Sequence, residues 1–285
     1  MITVLGATGG QGGAVAQALL ASGQAIRAVV RNPAEPRARR LADQGVDVVP
    51  GNLSDAASLT AAFEGSSAAF AVTTPFESGT DAEVRQGQAI IEAAGRAGLE
   101  HLVLASVASA DRSTGIPHFE SKARIERVLA EAGLPATVVA PTYFFENAMG
   151  GLDEIAQGTL SLAIPADTPL QQIARRDLGA VVAAVIAAPE RWIGHRVEVA
   201  GDAPTPRQMA QAISAAAGGP VEYRHVPLDL VRQASADMGA MFTFLTETGY
   251  SVDIPALRDD FPGIAWTSFA DWAADQRWPR PRPLG

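Results

Sequence analysis

"ITVLGATGGQGGAVAQALLASG", residues 2–23, decides the fold of this chain. A short β-rich run enters a glycine cluster, and a helical pattern closed by Gly23 follows at once. Gly6, Gly9 and Gly12 stand three residues apart. Glycine at these places permits a tight turn, lets backbone N–H groups approach a pyrophosphate, and sets that charge at a helix N-terminus. The spacing alone occurs in many strand-to-helix turns, so its meaning depends on lying between the first strand and first helix of a repeating array. No G-K-[ST] closes the turn, which excludes a P-loop.

The array continues outward. "AIRAVVR", "VDVVPG", "AAFAVTT", "HLVLASV" and "ATVVAPT" read as strands, and segments such as "DAEVRQGQAIIEAAGRAGL", with Val84 and Ile91 on one stripe, read as helices. Strand and helix alternate until about residue 150, too few times for a TIM barrel. The expected fold is α/β: a Rossmann-type doubly wound parallel sheet over residues 1–150, with a smaller C-terminal α/β lobe over 151–285. That lobe is expected to pack on the sheet's ligand edge and not to form an independent domain. Within it Asp177 is expected to cap "LGAVVAAVIAA", while Thr205 and Pro206 open "RQMAQAISAAAG" as N-cap and N1. Trp266, Phe269 and Trp272 are expected to dock the last helix, and the tail "RWPRPRPLG" to fray.

Composition narrows the function classes. Twenty-two basic against 31 acidic residues give a net charge of −9, which disfavours nucleic acid as a partner. There is no cysteine, hence no disulfide, thiolate nucleophile or Cys-type zinc site. His101, His118, His195 and His225 are scattered, so no metal site is expected. The longest apolar runs are about half a membrane span, and the first residues already read as strand. The expectation is a soluble cytoplasmic protein without a targeting segment or a membrane partner.

The cofactor is read from the end of the second strand. In dinucleotide folds an acid about 20 residues past the glycine turn binds the adenosine ribose and selects NAD. Here Arg31 occupies that place, beside Asn32. A guanidinium cannot accept bonds from ribose hydroxyls but pairs well with a 2′-phosphate, which favours NADP(H). Arg37, Arg39 and Arg40 read equally well as the solvated start of a helix or as part of the site.

A second decisive stretch is "GIPHFESKARIERVLAEAGLP", residues 115–135. Ile125, Val128, Leu129 and Ala132 mark an apolar stripe, and at about 100° per residue His118 and Lys122 fall on the same side. Glu120, Arg124, Arg127 and Glu131 point away. An inward lysine needs a partner; ribose hydroxyls would serve, the alternative being a side chain that snorkels to the surface. His118 is either a proton donor near neutral pH or a pocket histidine with satisfied nitrogens. Ser106 and Ser109 in "LASVASAD" either contact a nicotinamide or substrate carbonyl, or form a hydroxyl turn. Phe144, Phe145, Met149, Met238, Met241, Phe242 and Phe244 either line an apolar pocket or belong to the core.

Together "VLGATGGQGG", "VVRNP", "HLVLASVAS", "HFESKARIERVLAEAGLPATVVAPTYFFEN" and "RDLGAVVAAVIA" resemble the NmrA-like branch of the atypical short-chain dehydrogenases. The resemblance implies an NADP(H)-binding Rossmann domain with a small substrate lobe. It places Gly6, Gly9 and Gly12 at the pyrophosphate, with Thr8 and Gln11 as further cofactor contacts of that turn, and Arg31 at the 2′-phosphate. Asn52 and Leu53 are implied beside the adenine, Thr73 and Thr74 on the ribose and nicotinamide side, and Lys122 at the nicotinamide ribose. Tyr143 is implied beside the nicotinamide, with Phe144 and Asn147 near the substrate. Orthodox relatives carry Y-x-x-x-K; here His118 fills the tyrosine's place, so the usual proton donor is missing. Lys122 and His118 are therefore the candidate catalytic residues.

Two functions follow. One is an NADPH-dependent oxidoreductase passing hydride to a small apolar or aromatic acceptor, a quinone, enone or related carbonyl compound. A quinone suits a site without a proton donor, because its reduced oxygens are weakly basic phenolates. The other is a non-catalytic NADP(H)-binding redox sensor with a regulatory protein partner; a homodimer is compatible with either.

Overall fold

The computed structural model describes residues 1–281; the last four residues of the proline-rich tail lie outside the described residues. The chain divides into two compact units. The first comprises residues 1–113, 117–140 and 178–198, and the second residues 114–116, 141–177 and those from 199 onward.

The first unit opens with β1 (Ile2–Leu5), α1 (Gly10–Ala21), β2 (Ile26–Val30), α2 (Pro36–Asp43), β3 (Asp47–Pro50), α3 (Ala56–Phe63) and β4 (Ala68–Ala71). It continues through α4 (Thr80–Ala97), β5 (His101–Ala105), α5 (Pro117–Ala132) and β6 (Ala136–Pro141). After β7 (Tyr143–Phe144), α6 (Leu152–Ala156), β8 (Thr159–Leu162) and β9 (Gln172–Ile173), the chain forms α7 (Arg175–Ala187), α8 (Pro189–Trp192) and β10 (Arg196–Val199). Seven strands make the sheet in the order β10-β6-β5-β4-β1-β2-β3. The six strands from β3 to β6 pair in parallel, as short strands joined by helices must, and the order reverses between β1 and β4. Every residue of β1, β4 and β5 is buried, as expected of strands covered on both faces.

Glycines set how closely the helices approach. A β-carbon at Gly179 in α7 would stand 2.4 Å from the Ala14 carbonyl oxygen in α1, so only glycine admits that contact. At Gly87 in α4 it would stand 2.6 Å from both branches of Ile125 in α5. Ile125 and Leu129 are buried as the stripe requires, and Lys122 with them. Ala132 is exposed, contrary to expectation, because it is the last residue of α5 and the packed stripe has run out.

The second unit adds α9 (Pro206–Ala217), β11 (Glu222–His225), α10 (Leu228–Ala234), α11 (Ala236–Glu247), α12 (Ile254–Asp260) and α13 (Phe269–Ala274). Two small parallel sheets, β8 with β11 and β7 with β9, belong to it. Thr205 forms the expected cap, extended to a capping box with Gln208. Phe145, Phe269 and Trp272 meet with ring centroids 5.3–5.8 Å apart at the centre of its core, so Phe145 is a packing residue. Asp177 does not cap α7. The helix begins two residues earlier, and the buried carboxylate instead accepts bonds from Thr267 N–H at 2.8 Å and Thr267 Oγ1 at 2.7 Å. Among the described residues no helix is long and apolar enough to cross a membrane, and no cluster of His, Cys, Asp or Glu could hold a metal ion.

Candidate functional site

The site is built from the glycine turn upward. Gly6 adopts φ +70°, in the left-handed region, and its carbonyl accepts a bond from Gly9 N–H at 2.8 Å. A β-carbon at Gly12 would lie 2.4 Å from the Gly6 carbonyl and 2.6 Å from Leu5 O, so α1 can rest against the turn only with glycine there. Helices α3, α9, α11, α12 and α13 are capped by the side chains of Asp55, Thr205, Ser235, Asp253 and Ser268. Helix α1 has Gly9 at its cap, no side-chain cap and no acid in its first turn. Its leading N–H groups are thus left for an anion. Thr8 and Gln11 are half-buried, and Gln11 Oε1 is a buried acceptor without a protein partner.

Beyond the turn, the ends of β2 and β3 border a groove of about 500 Å³ lined by Arg31, Pro50, Gly51, Asn52, Asp55 and Ser58. Arg31 follows the last residue of β2 and is largely exposed. Arg37 donates to the Thr8 carbonyl at 3.4 Å, which ties it to the turn, whereas Arg39 and Arg40 lie on the exposed face of α2. Asn52 folds into a local turn, its Oδ1 accepting from Ser54 N–H at 3.0 Å. Leu53 packs on the hydrophobic core. Gly51, Asp55 and Ser58 were not singled out in the sequence; the only signal was the cap pattern of Asp55 ahead of "AASLT".

Lys122 lies at the other side of this unit's strand ends. Its ammonium donates to Thr73 O at 2.8 Å, Thr73 Oγ1 at 3.0 Å and Glu83 Oε1 at 3.0 Å. Burial pushes its pKa down, and the Glu83 carboxylate opposes that shift. The structure therefore brings Thr73 to Lys122, with Thr74 next along the chain. It adds Glu83, a buried acid that the helical pattern gave no reason to separate from its neighbours. His118, one turn earlier on α5, is half-buried between Phe119, ring centroids 4.8 Å apart, and the exposed Phe76 at 5.7 Å.

Ser106 donates to Glu126, which also pairs with Arg196 at 2.9 Å. Its hydroxyl is thereby committed to a structural network. Ser109 is buried at φ 65°, its N–H donates to Glu198 at 2.6 Å, and its Oγ has no protein partner. In the second unit Tyr143 and Asn147 are hydrogen-bonded through their side chains, and burial pushes the Tyr143 phenol pKa up. Phe144 of the same unit lies 5.6 Å from the Arg175 guanidinium.

The NmrA-like family model matches residues 1–273. The chain belongs to the NmrA-like family. An NmrA-like family domain-containing oxidoreductase of Aspergillus campestris is 32% identical, over 91% of this chain and 80% of its own. A (4-alkanoyl-5-oxo-2,5-dihydrofuran-3-yl)methyl phosphate reductase of Streptomyces griseus is 27% identical, over 96% and 97%. Among solved structures, the NADPH-dependent quinone oxidoreductase of Escherichia coli complexed with NADPH superposes with TM-score 0.82 at 26% identity, covering 96% of this chain and 99% of that one. This NmrA-like chain thus has a Rossmann-type α/β fold, with the glycine turn, Arg31, Asn52, Thr73 and Lys122 all in its sheet-bearing unit.

Proposed function

We propose that this protein is an NADPH-dependent reductase whose acceptor is an apolar conjugated carbonyl compound, a quinone or an enone. One observation carries the cofactor reading. An uncapped helix N-terminus behind the Gly6–Gly12 turn and the exposed guanidinium of Arg31, held only by a surface pair with Glu77, offer positive groups suited to a pyrophosphate and a 2′-phosphate. The reduced nicotinamide supplies hydride. Lys122 would orient the ribose by exchanging a Thr73 contact for a hydroxyl. Tyr143, Phe144 and Asn147 are the acceptor-side residues we assign in the second unit.

The acceptor class follows from what stands at the proton-donor position. With His118 in place of a phenol, no residue of Lys122's helix supplies the usual acid, which favours an acceptor whose reduced oxygens are weak bases. The structural neighbour named as an NADPH-dependent quinone oxidoreductase supports this choice. The test is NADPH oxidation with a panel of quinones, aromatic enones and simple ketones. Turnover of the first two classes alone is expected. Tight nucleotide binding without turnover of any acceptor would overturn the reductase reading in favour of a sensor.

A further inference from the structure

Glu83 is completely buried, yet it lies in a helix whose pattern marks it as an ordinary polar position. Three donors converge on its carboxylate: Thr73 Oγ1 at 3.0 Å, Lys122 Nζ at 3.0 Å and Ser121 Oγ at 2.5 Å. The crossing of α4 and α5 makes this convergence possible. Gly87 fits against Ile125 where any side chain would collide, and Glu83 stands one turn before Gly87 while Ser121 and Lys122 stand one turn before Ile125. A carboxylate and an ammonium are thus locked face to face, with every remaining bond of Lys122 spent on Thr73. An isolated ammonium in such a place would shed its charge, so Lys122 does not persist as an ion without the carboxylate beside it.

We infer that Glu83 is the positioning residue of the cofactor site: without touching nucleotide, it keeps Lys122 charged and aimed at the ribose position. This rests on the reading of Lys122 as the ribose contact. The charged groups that face Lys122 are Glu83 from α4 and, more remotely, Glu126 from its own helix; both favour the ammonium, and burial opposes it. Removal of Glu83 leaves burial weakly opposed. The Lys122 pKa then falls, and the cation is lost as pH rises.

The experiment is calorimetric titration of the full chain with NADPH from pH 6 to pH 9, alongside thermal melts without nucleotide. Wild type, Glu83→Gln, Lys122→Met and the double variant are compared. Relative to wild type, Glu83→Gln is expected to bind at least about tenfold more weakly at pH 9 than at pH 6. It is also expected to melt roughly 5–10 °C lower, with part of that loss recovered in the double variant, where no ion remains unpaired. A Glu83→Gln affinity equal to wild type, or reduced by one constant factor at every pH, would overturn the inference. Wild-type affinity in Lys122→Met would instead overturn the reading of Lys122, whatever Glu83 does. Should Glu83→Gln not fold, Glu83→Asp, whose carboxylate is one methylene too short, is expected to show the same growing loss with pH. A flat profile there would count against the inference equally.

Discussion

The Arg31 guanidinium stands 3.3 Å from the carboxylate of Glu77, linking the end of β2 to the loop that follows β4. Both side chains are largely exposed, so the pair contributes little to stability, and Arg31 remains available to a stronger anion. Replacing Arg31 by alanine is expected to weaken NADPH binding roughly 10- to 100-fold, the usual worth of a charge-assisted bond. NADH binding should change by less than about threefold, since it has no 2′-phosphate. Equal losses for both nucleotides would refute the assignment.

Glu77→Gln removes the competitor for the same guanidinium. NADPH should bind up to about fivefold more tightly at low salt, with the gain fading as ionic strength rises. Titrations at two salt concentrations check this; weaker binding in the variant would show that Glu77 serves the nucleotide rather than competing with it.

Gly12→Ala places a methyl group 2.4 Å from the Gly6 backbone, which cannot yield without reshaping the turn. A stability loss of about 1–3 kcal/mol is expected, together with loss of nucleotide binding. Gly95→Ala, at an exposed site of α4 where the new methyl group meets Leu134 at an ordinary 3.5 Å, should gain about 0.5–1 kcal/mol through helix propensity. Chemical denaturation compares the two.

His101 gives a pH signature remote from the site. Its Nε2 bonds Thr137 Oγ1 at 2.8 Å, and because that hydroxyl donates to Trp192 O at 2.7 Å, Nε2 must carry the proton. Nδ1 is buried without a partner, and burial holds the pKa below its usual value of 6.5. The fold therefore favours the neutral ring. Its contribution is complete above about pH 6.5 and is lost as pH falls from there towards the lowered folded pKa, with a slope of at most about 1.4 kcal/mol per pH unit. Unfolding free energies between pH 7 and pH 5 should show this decline, and His101→Gln should flatten it; an unchanged slope in the variant would exclude His101 as its source.

Much of this was legible locally. The glycine turn, Arg31 at the close of β2 and the inward stripe of Lys122 depend on spacing along one strand or helix, where backbone geometry fixes which residues share a turn or a face. Asp177 misled for the complementary reason. An acid ahead of an apolar run resembles a cap, but the helix starts at Arg175, and donors from Thr267, 90 residues away in sequence, settle its role.

By itself, then, the sequence determined the alternation of short strands and helices that only a parallel sheet can join, the anion-ready first turn and the guanidinium beside it, because each is written in patterns within one strand, turn or helix. Tertiary structure alone decided that residues 178–198 join the sheet-bearing unit, that Ser106 is spent on Glu126, and that Glu83 is the counter-ion of Lys122. Those outcomes depend on which helices can approach closely enough, at Gly87 against Ile125 and Gly179 against Ala14, and such distances are set by packing between segments that periodicity describes only one at a time.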